Sequence, residues 1–382
     1  MQCARCNNDD QTLFYLGEKG YYCRKCISFK RRILDEELPE IDYEISDNSE
    51  ELFLNYQLSK QQQVISDKCL KLCQKESIIL NAVCGAGKTE IVLASIAYFL
   101  KQKKRVGYAI SRKQVVLEIA ERLNDLFKNA KVIGVCGGHT NEIYGDLIVC
   151  TTHQLYRYEK YFDLLILDEC DAFPYKGNEV LQNIAANSVN GNIIYSSATI
   201  DDYLAKKMHE GMKTLVLNER YHGYDLPVPK QVYGLNLFLI LYLLKYIKKN
   251  SNQVLVFVPT IETGLFLTKI INLKTNCLFI SSKTLAKQAI IAKFKNNEIK
   301  VLCATTILER GVTFSGIDVV VYHPEHRVFD VSSLIQISGR VGRKIVRPDG
   351  DVIFLQNAYS QDAINCIKKL KYANQNKKMS IM

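Results

Sequence analysis

Four clusters in this sequence combine residue types and spacings suited to chemistry. They are Ala82-x-x-Gly85-x-Gly87-Lys88-Thr89, Asp168-Glu169-x-Asp171, Gln336-x-x-Gly339-Arg340-x-Gly342-Arg343, and Cys3-x2-Cys6 with Cys23-x2-Cys26. The first is a phosphate loop: glycines let backbone N–H groups close around an anion, and the following helix N-terminus adds partial positive charge. In that chemistry Gly85, Ala86 and Gly87 cradle the phosphates of ATP, Lys88 reaches the β- and γ-phosphates, and Thr89 holds Mg²⁺. The strict consensus begins with Gly where Ala82 stands. In the second cluster Asp168 would bind Mg²⁺ and Glu169 would orient and deprotonate the attacking water, the positioning that ATP hydrolysis depends on. In the third, the planar forks of Arg340 and Arg343 match phosphate oxygens bidentately, and a finger of this kind is worth roughly 10³–10⁵ in rate. Each cluster has a plainer reading: a chance loop, a solvated acidic turn, a surface helix with salt bridges. Their presence in one chain favours ATP hydrolysis.

The four cysteines read as a closed structural Zn²⁺ site. Each pair places two thiolates on one turn, and sixteen residues separate the pairs. So short an insert cannot build a core, and the metal must supply its folding energy. Seven cations (Arg5, Lys19, Arg24, Lys25, Lys30, Arg31, Arg32) stand here against Asp9, Asp10 and Glu18, with Tyr21 and Tyr22 interleaved. This fits a nucleic-acid contact, or equally a docking knob with a solvated face.

The elements that must position these residues are legible in the hydrophobic pattern. Ile78-Ile79-Leu80 reads as a buried strand, and Ile91, Ala94, Ser95 and Tyr98 recur at helical spacing after the phosphate loop. Further strands are expected at Val106–Ile110, Val132–Val135, Leu147–Thr151, Leu164–Asp168, Ile193–Ser197 and Leu215–Leu217. This alternation over 56–217 argues a parallel sheet covered on both faces, with nucleotide at the carboxyl ends of its strands. Ser197-Ala198-Thr199 follows such a strand, where its hydroxyls could bond Asp171 and link hydrolysis to domain movement. Residues 218–234, with Gly223, Pro227, Pro229 and Gly234, have a linker composition. A second alternating set fills 235–366, with strands at Val254–Val258, Leu278–Ile280, Val301–Thr305, Val319–Tyr322 and Val352–Leu355. Residues 35–55 read as a linker, acidic and base-free through 51 and expected to be solvated and extended; 367–382 reads as a basic, frayed tail. The fold class is therefore α/β: a zinc module at 1–34, then two parallel-sheet domains in tandem.

Composition sets the outer bounds. With 382 residues, 47% hydrophobic and 24% charged, the chain is an ordinary globular protein of two or three domains. Its net charge of +10 favours a polyanionic partner. Thirteen cysteines, an odd number, fit a reducing compartment rather than a disulfide scaffold; Cys84, inside the phosphate loop, reads as a small filler more readily than as a redox group. The start has no apolar signal region, and the longest apolar run, Leu237–Leu244, is far short of a membrane span. A cytoplasmic protein is expected.

Motif content and order resemble a superfamily 2 DNA or RNA translocase, which implies that the two parallel-sheet domains are RecA-like. Thr151–Leu155, Asp168–Pro174, Thr305–Phe314, Glu325–Phe329 and Gln336–Arg343 sharpen this into a resemblance to the late competence family ComFA, in which a four-cysteine zinc module precedes the helicase core. Cys170 stands where that pattern has Val, and the chain is short for the family. The resemblance implies ATP-driven handling of single-stranded DNA at the inner face of the membrane during transformation. By the same resemblance Gln62 reads the adenine edge; Arg112, Thr152 and Thr305 touch the DNA backbone; Gly311 lets the chain pass close to nucleotide and DNA; and Gln336, Arg340 and Arg343 complete the site. The implied partners are a phosphoribosyltransferase-like competence protein, the recombination mediator DprA and the DNA uptake channel. Two other readings stand beside it: a duplex-unwinding helicase of replication restart or recombination, and a nucleotide-switched DNA-binding scaffold.

Overall fold

A short antiparallel hairpin, β1 (Phe14–Gly17) and β2 (Gly20–Cys23), carries the cysteine pairs close together. It belongs to the first of two units into which the computed structural model divides: Met1–Ala82 and Gly87–Leu217 with a terminal strand, and Asn218–Lys378 with Val83–Ala86. The structure describes residues 1–34, 36, 41, 43–343, 345, 347–377, 380 and 381.

After the hairpin the first unit contains α1 (Lys60–Cys73), β3 (Ile78–Ala82), α2 (Lys88–Lys101), β4 (Val106–Ile110), α3 (Lys113–Leu126), β5 (Val132–Val135) and β6 (Leu147–Thr151). Then come β7 (Phe162–Asp168), α4 (Glu179–Asn187), β8 (Val189–Ser197), α5 (Asp202–His209) and β9 (Thr214–Leu217). The strands form one parallel sheet in the order β9-β3-β8-β7-β4-β6-β5. Their apolar runs are buried on both faces, as a helix-covered parallel sheet requires: Leu164 to Leu167 have no exposed surface. The carboxyl ends of β3, β4 and β7 thus present the phosphate loop, Ile110 and Asp168 on one edge of the sheet. The helix after the loop departs from the stripe expected of it. Val92, Leu93, Ile96, Phe99 and Leu100 are buried along with Ile91 and Ser95. The reason is that α2 is covered by α1 as well as by the sheet; Ser66 Oγ of α1 donates to the Ile91 carbonyl at 2.8 Å.

The second unit has β10 (Lys230–Tyr233), α6 (Asn236–Lys249), β11 (Gln253–Phe257), α7 (Ile261–Asn272), β12 (Cys277–Ile280), α8 (Lys287–Lys295), β13 (Val301–Ala304), β14 (Ile317–Tyr322), α9 (Val331–Ser338), β15 (Val352–Gln356) and α10 (Gln361–Gln375). Its sheet is parallel throughout, in the order β10-β15-β14-β11-β13-β12. The closing strand β16 (Ser380–Ile381) joins the first unit, antiparallel to β9.

Three stretches differ from their sequence reading. The linker 218–234 contains β10, an edge strand with Val232 packed on the core of the second unit. Its prolines punctuate the approach to the strand rather than marking a free linker. The tail is no frayed end: α10 extends to Gln375 because Ala363, Cys366, Leu370 and Ala373 form a buried stripe among its lysines and asparagines. Residues 43–49 of the acidic stretch are partly packed on the first unit, although Glu44, Asp47 and Asn48 stay exposed as expected. Ile45 and Ser49 are buried, and the carboxylate of Asp146, itself fully buried, accepts from Ser46 N at 2.8 Å and Tyr43 Oη at 3.1 Å. Asp35, Glu37, Glu40 and Asp42 of that stretch lie outside the described residues.

Candidate active site and metal centre

The phosphate loop turns between β3 and α2 through two left-handed residues, Gly85 (φ 83°) and Gly87 (φ 80°), a conformation favouring glycine. A Cβ on Gly87 would collide with Gln62 Nε2. Gln62 is fixed there by a capping box at the start of α1: Ser59 N donates to Gln62 Oε1 at 2.9 Å, and Gln62 N to Ser59 Oγ at 3.2 Å. One sequence signal, Ser59-x-x-Gln62, thus builds a helix start and seats a carboxamide against the loop. Lys88, at the first turn of α2, directs Nζ to the Ala82 carbonyl at 3.5 Å.

Asp168 closes β7, only 6% exposed, and both of its carboxylate oxygens accept hydrogen bonds. Oδ2 accepts from Tyr108 Oη at 2.7 Å; Oδ1 accepts from Ser196 Oγ at 2.8 Å and from Glu169 N at 2.9 Å. Tyr108 Oη also lies 3.4 Å from Thr89 Oγ1. A continuous chain of oxygens therefore joins the first turn of α2 to β4, β7 and β8. Burial, then the charge of Asp168, pushes the Tyr108 phenol well above its ordinary value, which keeps it a neutral donor. Thr89 and Asp168 supply a hydroxyl and a carboxylate oxygen on the same side of the loop, the hard donors that suit Mg²⁺. Glu169 has φ 51°, an uncommon left-handed conformation for a residue with a side chain, at the position assigned to the attacking water. Tyr108 and Ser196 were not legible as site residues. The signal available was a lone phenol and a lone hydroxyl inside buried strands, which need a polar partner.

Thr199 Oγ1 donates to Asp171 Oδ2 at 2.6 Å, deep in the first unit. Ser197 does not join it. Its hydroxyl donates to the Thr199 carbonyl at 2.6 Å and accepts from Thr199 N at 3.1 Å, so it shapes the turn that presents Thr199. Arg112 stands at the start of α3, half-buried. Thr152 opens a 3₁₀ turn, Thr152–Arg157, and is 1% exposed with its hydroxyl buried and no partner for it among the described residues.

In the second unit Thr305 precedes a 3₁₀ turn after β13, and Gly311 adopts φ 81° in the loop beyond. Gln336 on α9 is buried at 3% exposure. Arg340 is also buried, at 1%, and its Nε donates to the Glu309 carbonyl at 3.0 Å, tying the Thr305–Phe314 stretch to α9. Arg343 is half-buried and its Nε caps the end of α9 at the Gly339 carbonyl, 3.1 Å away. The loop between these arginines is held by a residue that sequence reading missed. Arg220, 2% exposed, donates Nη1 to the carbonyls of Val341 and Gly342, both at 2.9 Å. Burial pulls its guanidinium down to about 10. Its only signal was a cation at the edge of a Pro- and Gly-rich stretch.

The four sulfurs of Cys3, Cys6, Cys23 and Cys26 are buried and lie within 4.8 Å of one another; the Cys3–Cys26 and Cys6–Cys23 pairs are 3.8 and 3.7 Å apart. A tetrahedral Zn²⁺ with Zn–S bonds of roughly 2.3 Å needs sulfurs about 3.8 Å apart. The donor set and spacing fit. The module is seated on the first unit by directed bonds: Asn183 Nδ2 to the Cys6 carbonyl at 2.9 Å, Asn187 Nδ2 to the Arg5 carbonyl at 3.1 Å, and Arg32 to Glu159 at 3.1 Å with both side chains largely buried. Phe29 stacks on His153 of the 3₁₀ turn, centroids 5.8 Å apart.

Residues 55–202 match the family model "Type III restriction enzyme, res subunit", and residues 238–344 match "Helicase conserved C-terminal domain". The chain is 36% identical to competence protein ComFA of Streptococcus pneumoniae, over 97% of this chain and 90% of that protein. It belongs to the ComFA family. Competence protein ComFA of Bacillus subtilis is 32% identical over 98% of this chain and 86% of its own length. Among solved structures, S. cerevisiae Dbp5 bound to RNA and ADP BeF3 aligns with a TM-score of 0.59 at 17% identity, over 83% of this chain and 88% of Dbp5. This ComFA-family protein is accordingly an ATP-hydrolysing superfamily 2 helicase of the competence system, built on two RecA-like parallel-sheet domains. Among the described residues no helix is long and apolar enough to cross a membrane.

Proposed function

We propose that this protein is a single-stranded-DNA-stimulated ATPase that translocates along the strand and drives DNA uptake in natural transformation. The observation that carries the reading is the oxygen chain from Thr89 through Tyr108 to Asp168, beside a loop that turns through left-handed Gly85 and Gly87; it supports Thr89 and Asp168 as the groups that would hold magnesium. When bound, Mg²⁺ neutralises charge on the phosphates. Lys88, with the backbone of Gly85, Ala86 and Gly87, holds the triphosphate, and Gln62 reads the adenine edge. Glu169 takes a proton from the attacking water. Gln336, Gly311, Arg340 and Arg343 serve the same nucleotide from the second unit, and the return of Arg340 and Arg343 on each cycle shifts the DNA-gripping groups at Arg112, Thr152 and Thr305. The Thr199–Asp171 bond, shaped by Ser197, relays this movement. Cys3, Cys6, Cys23 and Cys26 hold a structural zinc.

Handover of the strand to a phosphoribosyltransferase-like competence protein and to the mediator DprA, and recruitment by the uptake channel at the inner face of the membrane, complete this reading. Phosphate release with no nucleic acid, single-stranded DNA, single-stranded RNA and duplex, across a salt series, tests it. The expected result is stimulation chiefly by single-stranded DNA and none in Lys88→Ala. Equal or greater stimulation by duplex, with separation of a forked substrate, would favour the unwinding helicase instead; binding without stimulated turnover would favour the scaffold.

A further inference from the structure

The β1–β2 hairpin carries large side chains that its own fold does not use. Phe14 and Cys23 supply its contacts to the cysteine cluster. Tyr15, Leu16 and Tyr21 remain 55%, 60% and 40% exposed. The register pairs Tyr15 with Tyr22 across one face and Leu16 with Tyr21 across the other. On the first face the two rings lie 5.6 Å apart, and the guanidinium of Arg31 covers Tyr22 at 4.5 Å from its centroid. The module's cations divide by task. Arg5 is turned inward onto the Phe29 and Lys30 carbonyls of the module itself, while Arg32, paired with Glu159, and Lys25, paired with Glu179 at 3.0 Å, seat the module. Lys19, Arg24, Lys30 and Arg31 are exposed; of the facing carboxylates Asp9, Asp10 and Glu18, Asp10 is engaged by Thr12. An exposed ring beside a guanidinium already stacked on a second ring is a pattern that takes a base on the ring and its phosphate on the cation, for any base.

We propose that this face, Tyr15 and Tyr22 with Arg31, is a stacking platform for single-stranded nucleic acid fixed to the ATPase unit. It rests on the proposed single-strand activity and extends it. The module is anchored through Asn183, Asn187 and Glu159 and stacks Phe29 on the 3₁₀ turn at His153, so a strand held on the platform cannot move independently of the first unit. The platform therefore gives the first unit a grip of its own.

Fluorescence anisotropy with a labelled oligo-dT, in a salt series, tests the platform on the full-length zinc-loaded protein. Tyr15→Ser should weaken binding roughly tenfold, within the range for losing one base–aromatic stack, while Tyr15→Phe binds as wild type. Arg31→Gln should lower the salt slope by about 0.7, the share of one phosphate on a single strand. Zinc content and DNA-free ATP hydrolysis should not change in any of them. An oligonucleotide bearing 5-iododeoxyuridine should photocross-link to the β1–β2 peptide. Wild-type binding with unaltered affinity and salt slope in both Tyr15→Ser and Arg31→Gln, or cross-links only outside residues 14–31, would overturn the platform and leave the proposed function standing. Failure of the wild-type protein to bind or respond to single strands would overturn both.

Discussion

Tyr108 shows how much of a catalytic site can be carried by one residue that pattern reading assigns to the core. It sits in β4 among buried apolar neighbours and reads there as one more strand former, yet its hydroxyl meets Asp168 at 2.7 Å and Thr89 at 3.4 Å. Lys88, Asp168 and Glu169 were legible because their motif confines type and spacing together; Tyr108 was not, because nothing in sequence says where a buried phenol finds its partner. Tyr108→Phe removes a hydrogen bond to a charged group, worth about 1.5–3 kcal/mol. If that sum is lost from metal binding, the Mg²⁺ needed for half-maximal hydrolysis rises roughly ten- to a hundredfold. ATP affinity without Mg²⁺ should be unaltered. Because burial and Asp168 hold the phenol far above its ordinary value, it is a neutral donor throughout, and the ratio of wild type to variant should be the same at pH 6 and pH 9. A ratio that changes across that range would show that the hydroxyl titrates and that this account of it is wrong.

At the scale of elements, sequence reading located every parallel strand except β10, since a buried parallel strand is a short apolar run whatever surrounds it, but it missed β1, β2 and β16. It misjudged β10 and α10 for a common reason: both are surface elements whose few buried residues, Val232 in one and Ala363, Cys366, Leu370 and Ala373 in the other, are diluted by lysine, asparagine and glutamine. The seating of the zinc module was equally illegible, because it depends on two asparagines of α4 that donate to the module across a gap of over a hundred and seventy residues. That seating makes a prediction. Asn183→Ala with Asn187→Ala removes bonds worth about 0.5–1.5 kcal/mol each. Hydrogen exchange over residues 3–30 should speed up and a chelator should extract zinc faster, while ATP binding is unaltered. Chelation of the wild-type protein should release one zinc per chain and expose α4 and the 3₁₀ turn at Thr152–Arg157 to exchange. Unchanged protection in α4 after complete zinc loss would show that the module is an appendage rather than a part of the first unit.

At the scale of the whole molecule, the proposed cycle needs the second unit to deliver arginine to a nucleotide held by the first, and the structure separates its two candidates sharply. Arg340 is 1% exposed, with Nε on the Glu309 carbonyl, so it is part of the framework of the second unit whatever else it does. Arg343 is half-buried, and its Nε bonds the Gly339 carbonyl at the end of α9. Arg340→Ala should therefore lower stability as well as activity: leaving a buried carbonyl without its donor costs about 1–3 kcal/mol, which in a domain of this size lowers Tm by roughly 2–4 °C per kcal/mol. Arg343→Ala should leave Tm within a degree or so of wild type and ATP affinity nearly unaltered. Its kcat with single-stranded DNA should nevertheless fall about 10³-fold, at the lower end of what a finger supplies. Thermal melts, nucleotide titration and steady-state hydrolysis on the two variants check this directly. If Arg343→Ala hydrolysed ATP at close to the wild-type rate, catalysis would not depend on that residue, and the cycle would have to be rebuilt around Arg340 alone.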